Sequence, residues 1–400
     1  MGEPDRYAEY ARLRVEAPVR YDPKLEAWVL TRYQDIVEVL TDTGRFSAAG
    51  SIGIEPFDGF APEVQAEFAR GLERFPGLIE QDPPVHTRYR NLVNLAFTPR
   101  RVAALEPGIR GITDRLIDTF ILDGHIEFMS GFAFPLPMTV IGGMLGVPDE
   151  DLDRVQLMAD GFRTLEAGTL WQLPLAEQVS VAGRFADFQL YVADMVEARR
   201  VSPADDLVTT LLSAKLGGAR DLRTDEIVST VIHLLFAGQE TNARVLGSLM
   251  WLVLSERERW LDLVAHTELA LEAFEEALRM EPPVTFHARR TIEPVEIGGI
   301  VIPSGATVHL VFASANHDET AFDDPERFDP RRANVTRHLG FGRGVHFCVG
   351  APLARLESRV AIERLSRRLP TLRLKPGETA RHEAHVMLRG LESLYLEWDP

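Results

Sequence analysis

The single cysteine of this 400-residue chain, Cys348, lies in a loop punctuated by Gly342, Gly344 and Gly350. Three glycines around one thiol indicate a backbone that bends through left-handed conformations or lets a large planar group approach closely. Free cysteines are more often small buried hydrophobes, but this loop favours a thiol presented for chemistry. Zinc is disfavoured because no second cysteine exists and His346 is too close in sequence for the usual ligand spacing.

The loop from Phe341 to Gly350 has the form Phe-Gly-x-Gly-x-His-x-Cys-x-Gly. A haem iron needs only one axial thiolate, which one cysteine can supply. The pattern resembles the haem-binding loop of the cytochrome P-450 monooxygenases, and matching segments extend from about Tyr7 to Trp398. The resemblance implies haem b (iron protoporphyrin IX) as cofactor and Cys348 as its metal ligand. It also implies haem contacts from Phe341, Gly342, His346 and Gly350.

Composition restricts the class of protein further. The hydrophobic fraction of 45% and the charged fraction of 26% are typical of a globular protein. The net charge of −17 argues against a nucleic-acid partner or a polybasic membrane anchor. A single cysteine fits a reducing compartment, and we find no apolar signal core or membrane-length apolar stretch. We therefore expect a cytoplasmic protein with neither a membrane nor a nucleic acid as partner.

Residue periodicity predicts a mainly α fold with small β-sheets. Two strands are expected around the Asp-Pro turn within 19–31, a loop over 46–77, and helices broken at prolines within 85–121 and 149–200. The longest helix is predicted over 224–256, with Thr224 as cap, and another begins near Ala351. No linker or repeat marks a seam, so we expect one domain spanning 1–400, as the single-domain cytochrome P-450 fold implies.

The middle of the longest predicted helix carries the segment 237–241, in which Gly238 costs about 1 kcal/mol relative to alanine. By itself the segment fits a close helix crossing equally well. The resemblance implies that Ala237 and Gly238 contact haem. It also implies that Glu240 and Thr241 form a catalytic acid–alcohol pair that delivers protons during oxygen activation.

Haem propionates need cationic or donor partners, and the chain offers four candidates. His86 and Arg90 are four residues apart on a predicted helix, Arg289 leads into a strand, and His346 lies two residues before the cysteine. Taken singly, each is more often a surface residue. The resemblance implies that all four bind the propionates.

Opposite charges also stand three residues apart at Glu276 and Arg279, a spacing that usually gives an exposed ion pair of small energy. The downstream segment 322–328 resembles the family segment whose arginine joins this pair. The resemblance therefore implies that Glu276, Arg279 and Arg327 form a buried charged network with a structural role.

The substrate-pocket residues are the weakest inference, because most apolar side chains belong to a core. We expect a mainly apolar pocket for a small organic substrate, with few polar anchors. The candidates come from segments that line family pockets: Phe57, Leu78, Phe162, Trp171, Leu234, Ala237, Val284, Phe286 and Leu388.

The implied reaction inserts one atom of O2 into the substrate by hydroxylation, dealkylation or epoxidation, with two electrons ultimately from NAD(P)H. The chain carries no flavin or iron–sulfur signature, so the electrons must come from a ferredoxin and ferredoxin reductase or from a fused reductase domain. A ferredoxin would dock on basic residues near the thiolate, for which the candidates are Arg88, Arg100, Arg101, Arg343 and Arg355. A peroxide-driven peroxygenase and a non-enzymatic haem sensor or carrier remain alternatives.

Overall fold

The computed structural model describes residues 6–51, 59–166, 169–216, 220–383, 385 and 387–399. Helices dominate these ranges, and the predicted mainly α fold with small sheets is confirmed. In chain order α1 to α15 are Arg6–Glu16, Tyr33–Thr41, Pro62–Phe68, Val85–Asn94, Pro99–Ala104, Glu106–Phe120, Pro135–Leu145, Leu152–Glu166, Leu175–Val201, Leu207–Ser213, Thr224–Leu254, Arg257–Ala265, Ala270–Met280, Phe312–Ala315 and Ala351–Arg368.

The strands are short. In chain order β1 to β14 are Val19–Asp22, Ala27–Leu30, Phe46–Ser47, His125–Glu127, Lys215–Leu216, Arg220–Asp221, His287–Thr291, Val295–Ile297, Ile300–Ile302, Thr307–Leu310, Arg373–Leu374, Arg381–His382, Leu391–Ser393 and Tyr395–Glu397.

The chain divides into two compact units. Unit 1 comprises Met1–Ser51, Val102–Leu136 and Thr241–Pro400, and unit 2 comprises Ile52–Arg101 and Pro137–Glu240. Each unit is therefore assembled from segments far apart in sequence, and no composition change along the chain marks their limits. The single domain over 1–400 stays a prediction.

Unit 1 is built around a five-stranded sheet in the order β1-β2-β10-β7-β3. The predicted hairpin is confirmed: β1 and β2 pair antiparallel with Tyr21 opposite Trp28, and β10 lies parallel to β2. Leu30 and Val308 pack with Ile36 of α2 in a buried apolar cluster. The amphipathic pattern of α2 thus covers the sheet and positions the C-terminal end of α2, which meets the cysteine loop.

Unit 2 is mainly helical, and aromatic side chains join its helices. Phe162 of α8 stacks on Phe185 of α9, with ring centroids 5.8 Å apart. The predicted loop over 46–77 is wrong in part, because α3 forms within it. Pro62 begins α3, and the buried ring of Phe68 packs edge-on against Phe185, so tertiary contacts stabilise a helix of only seven residues.

The long helix α11 begins at Thr224 and ends at Leu254, two residues before the predicted end. Thr224 is not the cap residue as predicted, because the Ile227 N–H donates to the carbonyl of Arg223, which therefore holds the cap position. Its first turn contains Glu226, a buried carboxylate that accepts hydrogen bonds from the Arg223 backbone N–H at 2.8 Å and the Tyr89 hydroxyl at 2.5 Å. A negative charge here complements the positive end of the helix dipole. This arrangement fixes the start of the helix that carries 237–241.

Candidate functional site

The cysteine loop in unit 1 is closed by its own backbone. The Gly342 N–H donates to the Leu339 carbonyl at 2.8 Å, and the Cys348 N–H donates to the Phe341 carbonyl at 2.9 Å. Gly342 and Gly344 have φ values of +67° and +71°, in the left-handed region that favours glycine. The loop ends where α15 begins, at Ala351. Sequence reasoning predicted this bend, and the structure assigns its positive φ angles.

Gly344 is needed for a second reason. A Cβ atom at this position would lie 2.4 Å from the carbonyl oxygen of Leu40, near the C-terminal end of α2. Backbone atoms of a helix cannot yield easily to such an overlap. The loop is therefore packed against α2 at a point where only glycine fits.

Cys348 is exposed, and its thiol is the one sulfhydryl of the chain. A Cβ atom at Gly350 would lie 3.8 Å from its Sγ atom, an ordinary contact distance. One accessible thiol on a glycine-lined loop is the donor set that a single axial thiolate requires. The residues present thus fit haem as cofactor.

A buried charged cluster supports this loop from α13 and α15. The carboxylate of Glu275 binds the His338 Nε2 atom at 2.9 Å and the Arg355 Nε atom at 2.5 Å, and Arg355 lies 4.7 Å from the centre of the Phe341 ring. Burial acts to raise the pKa of Glu275, but the bonds from His338 and Arg355 outweigh it and hold the pKa below its usual value. Sequence reasoning missed Glu275 and His338, which no spacing rule connects.

This cluster also corrects the interpretation of Arg355. Its guanidinium is bonded to both oxygens of Glu275 and is only 29% exposed, so it is engaged inside unit 1 rather than offered to a partner. Arg88, Arg100, Arg101 and Arg343 are exposed. These four stay candidates for docking.

The predicted pair of Glu276 and Arg279 is confirmed as a fully buried ion pair at 2.8 Å. The third member was predicted wrongly. The side chain of Arg327 is 63% exposed and pairs with Asp329, and only its backbone carbonyl approaches Arg279. Arg332 completes the network instead, with its Nε atom 3.2 Å from Glu276 and its own side chain nearly buried.

The reason lies in the turn that follows Arg327. Arg332 also donates to the backbone carbonyls of Asp323, Asp324 and Arg327, so its guanidinium fastens the preceding loop to α13. Both arginines lie in the same short segment of sequence. Only the path of the backbone decides which of them points inward.

On α11, Gly238 packs closely against α7, since a Cβ atom there would lie 3.0 Å from Ile141. Glu240 is buried, and its Oε1 atom lies 4.0 Å from the Arg163 Nε atom of α8. The alternative interpretation of this segment as a close helix crossing would allow an exposed Glu240, which the structure contradicts. Its role with Thr241 stays a prediction.

A second buried carboxyl group, that of Glu357 on α15, is bonded to the part of α11 that belongs to unit 1. Asn242 donates to Glu357 Oε2 at 2.5 Å and accepts from the Ser358 hydroxyl at 3.1 Å. Burial raises the pKa of Glu357 to about 8, although the bond from Asn242 acts to lower it. Glu357 is thus protonated at neutral pH and joins α15 to α11 as a neutral acid.

The four propionate candidates are divided between the units. His86 and Arg90 lie on α4 of unit 2, where His86 is buried and Arg90 donates to Asn94 at 3.0 Å. Arg289 on β7 of unit 1 is buried and donates to the Ala288 carbonyl at 2.7 Å, and His346 lies in the cysteine loop. Their binding of propionates stays a prediction.

The pocket candidates are also divided. In unit 2, Phe162 is buried, Leu78 and Leu234 are partly exposed, and Ala237 is exposed. Trp171 is 47% exposed, and its ring stacks on the Phe60 ring with centroids 3.5 Å apart. In unit 1, Val284 forms a β-bridge with the buried Leu388. The rings of Phe286 and His309 lie with their centroids 4.7 Å apart. Phe57 lies outside the described residues.

Within the described ranges, no helix combines the length and apolar character needed to cross a membrane.

Comparison with known proteins agrees with this architecture. The cytochrome P450 family model matches residues 253–379. Cytochrome P450 107B1 of Saccharopolyspora erythraea is 37% identical, over 98% of this chain and 94% of the relative. The 6-deoxyerythronolide B hydroxylase of the same organism is 34% identical, over 99% of this chain and 96% of the relative. The solved structure of cytochrome P450 CREJ in complex with (4-ethylphenyl) dihydrogen phosphate gives a TM-score of 0.91 at 29% identity. The match covers 98% of this chain and 97% of that structure's chain.

Proposed function

The chain belongs to the cytochrome P450 family of haem monooxygenases, and we propose that it binds haem b through Cys348 and oxidises a mainly apolar small organic substrate. One atom of O2 enters the substrate, and two electrons come from a separate redox partner. The observation that carries this proposal is the exposed Cys348 in a loop closed by hydrogen bonds and glycine turns.

Cys348 would hold the haem through its sulfur, and the bound group would supply the activation of O2, helped by electron density from that sulfur. The chain's part is to hold the sulfur in place. The Gly344 contact with α2 and the Glu275 cluster behind Phe341 support the loop from two directions. The N-terminal end of α15 follows Cys348 directly, and such ends favour negative charge.

Glu240 and Thr241 are proposed to move protons. The Glu240 carboxylate is buried, and its Oε1 atom lies 4.0 Å from the Arg163 Nε atom. We propose that Glu240 relays protons and that the hydroxyl of Thr241, the next residue in sequence, steadies the oxygen species that receives them. Retention of this pair favours a monooxygenase over a peroxygenase.

The cofactor and substrate contacts are proposed from the resemblance of their segments to those of the family. We propose that His86, Arg90, Arg289 and His346 bind the haem propionates, and that Ala237, Gly238, Phe341, Gly342 and Gly350 pack against the ring. The close packing of Gly238 on Ile141 keeps α11 near α7 without a side chain between them. The pocket candidates Leu78, Phe162, Leu234, Val284, Phe286 and Leu388 supply an apolar lining.

One relative is named 6-deoxyerythronolide B hydroxylase, and another is named as a cytochrome P450 of polyketide biosynthesis. We propose a comparably large organic substrate of mainly apolar character for this chain. Electrons are proposed to arrive from NAD(P)H through a ferredoxin and its reductase, with Arg88, Arg100, Arg101 and Arg343 as the exposed cations that attract it.

The first experiment records the absorption spectrum of the reduced protein under carbon monoxide. The thiolate-ligated Soret band is expected for the wild type and for Val345→Ala, an exposed position in the same loop. Cys348→Ala is expected to lose this band and all activity. A band at the position of a histidine-ligated haem in freshly purified wild type would overturn the proposal.

The second experiment compares Thr241→Ala with Thr230→Ala, whose hydroxyl is bonded to the Glu226 carbonyl on the same helix. With ferredoxin, reductase and NAD(P)H, Thr241→Ala is expected to consume NAD(P)H and release hydrogen peroxide, while Thr230→Ala stays coupled. Wild-type product yield in Thr241→Ala would remove the residue from the mechanism. Faster turnover with added peroxide than with the redox partners would favour a peroxygenase.

A further inference from the structure

His233 is a polar side chain among the apolar pocket candidates of unit 2. It lies on α11 one helical turn before Ala237, next to Leu234, and its ring meets the Phe162 ring edge to face with centroids 5.0 Å apart. Gly77, the neighbour of Leu78, packs against the edge of the imidazole formed by Nε2 and Cδ2. Sequence reasoning did not select this residue, because one histidine on an apolar helix face carries no motif.

The hydrogen bonds of His233 determine its tautomer. The Nδ1 atom lies 2.7 Å from the Ser229 carbonyl oxygen and 3.3 Å from the Ser229 hydroxyl oxygen. That hydroxyl donates its only hydrogen to the Phe75 carbonyl at 2.7 Å. Both oxygens near Nδ1 are therefore acceptors, and Nδ1 must carry the ring hydrogen.

The other nitrogen, Nε2, has no hydrogen-bond partner in the part of the chain that the structure describes, although it is buried. Burial lowers the pKa of His233 against the opposing effects of the Ser229 carbonyl and Glu80, so the ring is neutral. A neutral ring with its hydrogen on Nδ1 presents a lone pair on Nε2. A buried acceptor without a donor costs free energy and calls for an explanation.

The segment 74–80 covers this acceptor. A Cβ atom at Gly77 would lie 2.5 Å from both Nε2 and Cδ2, so only glycine allows the segment to close over the ring. Ser229 holds the segment through Phe75, and Arg74 and Glu80 form an ion pair at 2.6 Å within it. A donor can therefore reach Nε2 only where Gly77 moves away from the ring.

We infer that His233 is a specificity-determining residue, whose Nε2 atom accepts a hydrogen bond from a hydroxyl group of the substrate. The inference rests on the proposed function, since it takes the pocket candidates as the substrate site. It narrows the substrate class to apolar molecules that carry a hydroxyl. A ketone or an ether in the same place offers only lone pairs and is disfavoured.

The test is calorimetric titration of the haem-loaded protein with three matched pairs: testosterone and androstenedione, menthol and menthone, and cyclododecanol and cyclododecanone. In the wild type we expect the alcohol of at least one pair to bind about tenfold more tightly than its ketone. His233→Leu is expected to abolish that preference with little change in ketone binding. His233→Gln, which keeps an acceptor at the ε position, is expected to retain part of it.

Equal binding of alcohol and ketone in all three pairs, or binding of none, would overturn the inference, as would an unchanged preference in His233→Leu. The carbon monoxide spectrum separates this failure from failure of the proposed function. Thiolate-type haem without hydroxyl preference contradicts only the role of His233. A histidine-type band contradicts the proposed function itself.

Discussion

Gly342 and Gly344 have the same kind of backbone conformation but different surroundings. Both have positive φ, yet a Cβ atom at Gly342 would meet its nearest neighbour, the His346 carbonyl, at 3.7 Å, whereas at Gly344 it would lie 2.4 Å from the Leu40 carbonyl. Alanine at 342 should cost only the conformational strain of a left-handed residue. Alanine at 344 should add a steric overlap that backbone atoms cannot relieve.

We therefore expect Gly342→Ala to lower the free energy of unfolding by about 1 kcal/mol. Gly344→Ala should lower it by roughly 1 to 3 kcal/mol more and should also reduce haem retention. Denaturant unfolding of the holoprotein and the haem-to-protein absorbance ratio measure both effects. Equal losses in the two variants would show that the contact with α2 is not limiting.

Glu357 predicts a pH dependence of stability. Its pKa is raised from 4.5 to about 8 in the folded chain, so the unfolded chain releases this proton first as the pH rises. Stability contributed by the protonated form is complete below pH 4.5 and is lost as the pH rises towards 8. The slope attributable to this group is up to about 1.4 kcal/mol per pH unit.

Glu357→Gln keeps the shape and the bond to Asn242 without the ionisation. We expect its unfolding free energy, measured between pH 5 and 8, to fall less with pH than that of the wild type. The difference between the two curves should be largest at pH 8. Parallel curves would mean that Glu357 ionises normally in the folded protein.

At the scale of elements, the loop before the cysteine segment is fastened to α13 by Arg332 rather than Arg327. Arg332 bonds Glu276 and three backbone carbonyls, whereas the exposed Arg327 side chain pairs with Asp329. Without Arg332, Glu276 keeps its ion pair with Arg279, but it loses one charged hydrogen-bond donor, and the carbonyls of Asp323 and Asp324 lose theirs. Arg332→Ala should therefore lower the free energy of unfolding by roughly 2 to 4 kcal/mol.

Arg327→Ala is the matched control, because it removes the same charge from the same segment. It should change stability by about 0.5 kcal/mol or less. Thermal unfolding of both variants with haem bound gives the comparison. A larger loss in Arg327→Ala would restore the sequence-based interpretation.

At the scale of the whole molecule, the net charge of −17 makes local basic patches decisive for any acidic redox partner. Arg343 is exposed, whereas Lys24, in the turn after β1, is an equally exposed cation outside the proposed docking set. We expect Arg343→Glu to slow reduction by ferredoxin and to weaken its salt dependence. Lys24→Glu, with the same change in charge, should do neither.

Stopped-flow reduction of the holoprotein at several ionic strengths measures both quantities. An unchanged salt dependence in Arg343→Glu would place the docking site elsewhere. The same result in Arg100→Glu would remove the remaining support for the proposed basic patch.

The helical class and the bend of the cysteine loop could be predicted from the sequence, because they depend on local periodicity and turn chemistry, and the family followed from the resemblance of that loop. Helix α11 was predicted to within two residues, since its apolar face is a local signal. The buried pair of Glu276 and Arg279 was also predicted, because one helical turn brings the two charges together.

Which distant residues complete each cluster became known only from the folded chain. Arg332 replaced Arg327, Glu275 took up Arg355, and α3 formed inside a predicted loop through aromatic packing. The unsatisfied Nε2 atom of His233 likewise depends on how the segment 74–80 folds over α11. Long-range packing sets these contacts, because side chains that meet in space carry no mark of one another in the sequence.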